Sequence, residues 1–345
     1  MSGTTSRRDT PAMDCDDTKR ETSFVGTVIR KHRNFYFVER NATEVLCSLS
    51  SKLRKDLEYP EADVSSRRRR VQAVNKVSFV DPVVVGDDVR VEPGAGLGLI
   101  VERLERRSTL SREAPSRTHL QQVIAANVDQ VLAVVSPQSP PFRPDLLDRL
   151  LVGCEHHHLK GIVCLTKIDL GVPEEVERVI ETYPEIGYPV VRTSTVTGEG
   201  LQELEQLLAR KNTVAVGLSG TGKTSLVNAL VPGADLPVGH VNRKTGLGTH
   251  RTTTISLHRL PSGGHLVDAP GLRELGLWDC AADQLSDLFP EFRHLVDACR
   301  FRGCAHRDEP GCAVKNAVEE HVIAQHRYRD YLSIRAELER RERQG

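Results

Sequence analysis

Aromatic side chains are scarce in this 345-residue chain: one Trp, six Tyr and eight Phe make up 4% of it. So thin a supply argues against an interface built mainly on base stacking. Neither charge is in excess, because 47 Lys and Arg balance 47 Asp and Glu. A uniformly basic coat for nucleic acid is thereby excluded, whereas a local basic patch is not. No apolar run approaches the roughly 18 residues of a membrane-crossing helix, which excludes such a helix. Arg7-Arg8 near the start leads into no apolar stretch, so no signal peptide is visible and the chain reads as cytoplasmic. Disorder throughout is excluded too, since 39% apolar and 27% charged residues are ordinary for globular protein. The length suggests two or three domains, and nothing demands more than a monomer.

Residues 1–22 are polar and aperiodic and read as a disordered tail. From Phe24 the texture changes to short alternating runs: Phe24–Ile29, Phe35–Val38, Val45–Leu49, Val71–Val74, Val83–Val91 and Leu99–Leu104. Strands this short, punctuated by Gly, Pro and Asp, suggest a small antiparallel barrel. Among them lies Arg67-Arg68-Arg69-Arg70, which reads either as a solvated loop or as a phosphate-backbone contact on RNA. Residues 19–110 hold 18 Lys/Arg against 13 Asp/Glu, a local basic surplus that the chain average hides.

From about Gln121 apolar runs alternate with helical patterns. The strands are expected at 131–135, 161–165, 189–191, 212–216 and 265–268, and the helices at 145–158, 174–182, 201–209 and 223–230. Such βαβ alternation predicts a mostly parallel sheet covered on both faces. After Gly276 no strand pattern remains, and helices are expected over 281–298 and 313–343.

Gly217-Leu218-Ser219-Gly220-Thr221-Gly222-Lys223-Thr224, followed by Ser225, fits G-x-x-x-x-G-K-[ST] in full. It stands between an apolar strand and a helical pattern, the context such a loop needs. Its glycines let backbone N–H groups close around phosphate oxygens, with Lys223 reaching the β- and γ-phosphates and Thr224 ligating Mg²⁺. Asp268-Ala269-Pro270-Gly271 ends a later apolar strand, where Asp268 suits water-mediated Mg²⁺ binding and Gly271 suits γ-phosphate sensing. Thr166-Lys167-Ile168-Asp169 closes an earlier strand. Asp169 there suits the paired N–H donors of guanine, which adenine lacks, while the Lys167 stem suits the base plane. Ser194-Thr195 follows the next strand, where backbone N–H groups suit guanine O6.

Near the C-terminus Cys299, Cys304, His306 and Cys312 fall within fourteen residues. Three thiolates and one imidazole suit a structural, tetrahedral Zn²⁺, and Gly303 and Pro310-Gly311 permit the tight turns required. In contrast, His156-His157-His158 reads as the polar end of a surface helix, because adjacent residues do not share a helix face.

Together these segments resemble a GTPase signature in permuted order, with the base motif (166–169) ahead of the phosphate loop (217–224) and the switch (268–271). The chain resembles the RsgA family of small-ribosomal-subunit maturation GTPases from about residue 23 onward. The likeness extends to Asn127-Val128-Asp129-Gln130-Val131, to Gly246-Leu247-Gly248-Thr249-His250 before Thr252-Thr253-Thr254, and to the zinc spacing. It implies an α/β fold: an OB-fold barrel that binds rRNA over 23–112, a circularly permuted P-loop GTPase domain over 113–277, and a mainly α zinc-binding domain over 278–345. It also implies GTP hydrolysis with Mg²⁺ on Thr224, Thr253 and Asp268, action late in small-subunit maturation, and stimulation by the ribosome. Leu272 stands where many small GTPases carry a water-orienting Gln, and an apolar residue cannot do that work. The family's switch histidine falls on His250 counted from Gly246 and on Arg251 counted back from Thr252. Either His250 orients water beside Lys223, or Arg251 stabilises charge, or a partner completes the site. Two other classes fit the phosphate loop: a GTP-gated RNA or protein adaptor with incidental hydrolysis, and a nucleotide kinase, against which the base motif argues.

Overall fold

A computed structural model describes residues 23–58, 82–113, 121–238, 255–268, 277 and 280–344. The N-terminal tail, the Arg67–Arg70 run, the Val71–Val74 strand, the Thr249–Thr254 segment carrying His250, Arg251 and Thr253, and Ala269–Leu272 lie outside the described residues.

Five strands close a barrel: β1 (Phe24–His32), β2 (Phe35–Arg40), β3 (Thr43–Leu49), β4 (Asp88–Glu92) and β5 (Gly98–Arg103). A helix, α1 (Ser51–Glu58), follows β3. The strands are paired in the order β1–β2–β3–β5–β4, with β3 parallel to β5, and β4 returns to β1 from Phe24↔Val91 to Thr27↔Asp88. Alternation puts Phe24, Val28, Tyr36, Val38, Cys47, Val89, Val91 and Ile100 inside. The Val83–Val91 run expected as one strand is divided. Val85 bridges Ala125, and Gly86 then turns with φ +90° before β4 begins. A Cβ at Gly86 would lie 2.1 Å from the Ala126 carbonyl oxygen, so only glycine admits this approach.

A hairpin of β6 (Thr109–Glu113) and β7 (Gln121–Ala126) leads into the parallel sheet. Its strands are β8 (Gln130–Val135), β9 (Lys160–Leu165), β10 (Val190–Arg192), β11 (Lys211–Val216), β12 (Ser256–Arg259) and β13 (Gly264–Asp268). They lie in the order β10–β9–β8–β11–β13–β12, all parallel except the antiparallel β12. Along β8, Val131 and Ala133 join one core with α2 (Pro144–His156) and α3 (Glu174–Ile180). Leu132 and Val134 join the opposite core with α5 (Leu201–Leu208) and α6 (Lys223–Leu230). A four-residue turn of helix, α4 (Thr182–Glu185), follows α3. Helices on both faces explain the continuous apolar strands.

The barrel joins this sheet through one register pair, Arg30↔Ser256. Just before it the β1–β2 register shifts between Val28 and Arg30. The extra residue sends consecutive side chains into different cores: Val28 faces the barrel interior, and Ile29 packs in the α2–α3 core.

The C-terminal part departs from expectation over 281–298. Short 3₁₀ turns at Leu285–Leu288 and Val296–Ala298 replace the predicted helix. Pro290 lacks the N–H a helix interior needs, and Phe289 and Phe292 stack 5.1 Å apart in the core instead. The helix expected over 313–343 is two, α7 (Ala313–Glu319) and α8 (Gln325–Glu342). α8 lies against α2: Arg149 pairs with both Glu337 oxygens at 2.6 and 2.9 Å, and buried Arg327 lies between Asp148 (3.0 Å) and Glu291 (2.7 Å).

Candidate functional site

Four loops meet at the C-terminal edge of the parallel sheet, where β8, β9, β10, β11 and β13 all end. The phosphate loop leaves β11 at Gly217, where a Cβ would stand 2.2 Å from the Val134 carbonyl oxygen. It turns through Gly220 and Gly222, both with positive φ, and α6 begins at Lys223, as the sequence pattern predicts. Lys223 Nζ donates to the Gly217 and Leu218 carbonyls, each at 2.8 Å, and is thereby folded over the loop. Thr221 is tied to Leu218 within the loop, while Ser219 and Ser225 lie half-buried along it.

The Thr224 hydroxyl donates to Asp268 Oδ2 at 3.3 Å. The two residues expected to flank Mg²⁺ are thus adjacent, although 44 positions separate them. Asp268 is buried. Burial raises its pKa, opposed by the Lys223 ammonium, the Thr224 hydrogen bond and His258. His258 is a neighbour that sequence reasoning missed. It sits on β12 opposite Leu266, its Nε2 2.8 Å from Ser256 Oγ, and burial lowers its pKa. A four-residue strand such as β12 leaves too short a pattern to read in sequence.

The base motif is bound directly to the phosphate loop. Thr166 Oγ1 lies 2.5 Å from the Thr221 carbonyl oxygen and 2.9 Å from that of Val135. Lys167, in a left-handed backbone conformation, donates through Nζ to the Gly220 and Ser139 carbonyls, each at 2.6 Å. Burial lowers the Lys167 pKa, against the pull of Asp169. Asp169 follows half-buried Ile168 and is exposed at the mouth, where its Oδ1 accepts from Ser194 Oγ at 2.6 Å. The same Ser194 oxygen accepts from the Val196 and Thr197 amides at 3.2 Å. Ser194 therefore fixes Asp169 with its side chain, whereas sequence reasoning gave it only backbone donors. Thr195 is exposed beside it.

Some 30 residues after β13 ends, Cys299, Cys304, His306 and Cys312 form a second cluster. Their ligand atoms all lie within 4.8 Å of one another. Cys299 Sγ is 3.9 Å from Cys312 Sγ, close to the roughly 3.8 Å that two sulfurs take when both stand about 2.3 Å from a tetrahedral ion. His306 turns Nδ1 toward the sulfurs, 3.3 Å from Cys312 and 3.6 Å from Cys299. Burial lowers its pKa and so favours the neutral, ligating imidazole. Burial pushes the Cys304 thiol up to about 12, so a cation that binds there must displace the proton. Tyr328 donates to the His306 carbonyl at 2.7 Å, and the Glu309 carboxylate accepts from the Ala305 and Arg307 amides at 2.8 and 2.9 Å, which fixes the loop. The chemistry of this donor set and its spacing fit a metal ion. The His156–His158 stretch ends α2 at the surface, apart from this cluster.

A phosphate loop that follows the base motif in the chain, yet packs against it in space, defines a circularly permuted GTPase. Comparison with known proteins agrees. The model of the RsgA GTPase family matches residues 103–278. The "Small ribosomal subunit biogenesis GTPase RsgA" of Shewanella oneidensis is 42% identical over 288 residues, covering 81% of this chain and 80% of the relative. Its Haemophilus influenzae counterpart is 37% identical, covering 78% and 80%. Among solved structures, YjeQ from Thermotoga maritima superposes with a TM-score of 0.67 at 32% identity, covering 92% of this chain and 99% of that one. YloQ, described as a circularly permuted GTPase, gives 0.64 at 28% identity and covers 94% and 98%. The chain belongs to the RsgA family of GTP-hydrolysing enzymes.

Proposed function

We propose that the chain acts in biogenesis of the small ribosomal subunit, as its relatives are named to do, and hydrolyses GTP at the C-terminal edge of the parallel sheet. The observation that carries the site assignment is the direct bonding of base motif to phosphate loop through Thr166 and Lys167. In this reading Asp169, held by Ser194, accepts from the guanine N1–H and amino group. Lys167 lies along the base, and Thr195 stands near O6. The amides of residues 217–225 and the α6 N-terminus hold the phosphates. Lys223 swings from its carbonyl partners to the β- and γ-phosphates, and Gly271 meets the γ-phosphate. Thr224 and Asp268, with Thr253, would hold Mg²⁺, which when bound neutralises charge on the phosphates. Water attacks the γ-phosphate in line, and His250 or Arg251 completes the arrangement around it.

Zn²⁺ is the ion we assign to Cys299, Cys304, His306 and Cys312, in a closed, structural role. The domains run 23–112, 113–277 and 278–345, and the barrel and zinc domain bind subunit rRNA. Arg30, stacked 3.9 Å over Phe37, and Lys31 beside Tyr36 supply cationic surface on the barrel. The protein works in the cytoplasm as a monomer, and among the described residues no helix is long and apolar enough to cross a membrane.

The test is GTP turnover by the purified chain, alone and with small ribosomal subunits, beside Lys223→Ala. Stimulation that the variant abolishes supports the reading. Guanine-nucleotide binding without stimulated turnover favours the GTP-gated adaptor.

A further inference from the structure

The barrel meets the GTPase sheet at Arg30↔Ser256, where Ser256 lies opposite Asp268 at the nucleotide end, and again at the opposite end of the strands. Here a closed ring of polar contacts runs through residues that have no part in the site described above. Glu39 on β2 receives His265 Nε2 at 3.0 Å, and Arg259 of β12 reaches the other Glu39 oxygen at 3.3 Å. His265 Nδ1 lies 3.0 Å from Asn212 Oδ1, its register partner across β11 and β13. Asn212 Nδ2 donates to the Asn127 carbonyl at 3.0 Å, and Asn127 Nδ2 donates to the Gly86 carbonyl at 2.9 Å, with Asp88 at 3.5 Å. Asp88 in turn accepts from Thr27 at 2.7 Å, and Thr27 is the register partner of Glu39.

Both ring nitrogens are engaged. Asn212 spends its amide N–H on Asn127 and turns its oxygen to His265 Nδ1, while Nε2 faces the Glu39 carboxylate. His265 is thus clamped between the barrel and β11, half-buried beside Glu39, with side-chain exposures of 18% and 14%.

Its position gives the clamp a consequence. Asn212 and His265 root β11 and β13, and these two strands carry the phosphate loop and Asp268 at their far ends. The barrel touches the same sheet at Arg30↔Ser256 and through Ile29, inserted by the β1 bulge. Ser256 lies opposite Asp268, so the barrel grips this part of the sheet at both ends, and a rotation about the Arg30 contact loads His265 and the two strands it roots. We propose that His265, paired with Glu39, is a positioning residue that transmits the orientation of the barrel to the nucleotide site, so that macromolecular binding on the barrel alters GTP turnover through this pair.

The inference rests on the proposal that small ribosomal subunits stimulate turnover. The experiment measures basal and subunit-stimulated hydrolysis in wild type, His265→Ala, Glu39→Ala, the double variant and Glu39→Gln. Each alanine variant is expected to keep basal turnover and to lose about 5-fold or more of the stimulation, within the usual span of coupling between sites. The double variant is expected to lose no more than either single one, because both remove one link. Glu39→Gln, whose amide can still hydrogen-bond the imidazole, is expected to keep stimulation within about twofold of wild type. Intact stimulation in the alanine variants, additive losses, or a parallel fall of basal turnover overturns the proposal. Failure of the wild type itself to respond overturns the underlying reading and the proposal with it, and is told apart because it appears before any substitution.

Discussion

Asp330 on α8 gives the sharpest thermodynamic prediction. It is buried against α2, and burial, then its hydrogen bond to Asp148, pushes its pKa up to about 7. Two carboxyl groups share that hydrogen bond only when one of them carries a proton. The native carboxyl is therefore neutral where the unfolded one, near its ordinary value of about 3.9, is ionised. A folded pKa above the unfolded one contributes stability that is complete below about pH 4 and lost as pH rises to about 7. The loss runs at about 1.4 kcal/mol per pH unit across about three units, or about 4 kcal/mol in all. That is a large share of the 5–15 kcal/mol or so that holds a typical domain folded. Asp330→Asn keeps a donor for Asp148 and cannot ionise. It is expected to match wild type near pH 4, to gain on it steadily between about pH 5 and 7, and to hold a constant lead of about 2–4 kcal/mol above that. Urea titrations of the full chain, read by hydrogen exchange in α8 peptides, measure the difference at each pH. A lead independent of pH, or an Asn variant less stable at pH 8, would refute the neutral carboxyl.

Arg327→Ala leaves Asp148 and Glu291 buried without their cation, and should cost about 3–5 kcal/mol by the same denaturation assay. Asp169→Asn presents an amide donor where guanine also donates. GTP binding, measured by titration calorimetry, should weaken by at least about 100-fold, while the xanthine nucleotide, with a carbonyl at that edge, should gain. Cys312→Ser removes one of three sulfurs that lie within 4.8 Å of the other ligands. Bound zinc, by metal analysis, should fall from about one per chain to near none, with at least about 3 kcal/mol of stability lost.

The parts of the molecule that were legible in sequence are those where local chemistry leaves little choice. A phosphate loop must be glycine-rich and must end on a helix, so α6 begins and ends where the pattern places it. Buried parallel strands are continuous apolar runs, and β8, β9 and β11 were visible as such. A tetrahedral soft-ligand site needs three thiols and an imidazole close together, and the chain supplies them within fourteen positions. The failures share an opposite cause. Leu285, Phe289, Phe292 and Val296 repeat at helical spacing, yet Pro290 forbids the helix, and burial of the same residues by 3₁₀ turns produces the same pattern. β12 has four residues and draws its stability from pairing with β13 and the barrel, neither of which is local.

Permutation explains why the joint between barrel and sheet was the least legible of all. Moving the phosphate loop late in the chain leaves the barrel to enter the fold next to β8, through the β6–β7 hairpin and Asn127. Asn127 and Asp129 stand at this entry. The amide of Asn127 reaches back to Gly86 of the barrel, and Asp129 Oδ2 accepts from the Asn212 amide at 2.8 Å. Both residues belong to the Asn-Val-Asp-Gln stretch that marks the start of the GTPase part in sequence, where nothing about their spacing announces a binding or catalytic role. Their work is to tie β8 to β11 and both to the barrel. A motif can therefore be specific to a family without touching its substrate, when the feature it encodes is the order in which the domains are joined. The 226 positions between Glu39 and His265 make the same point from the other side. Neither residue belongs to a pattern in its own neighbourhood, and only the permuted path of the chain brings the barrel's second strand to the root of the strand that carries Asp268.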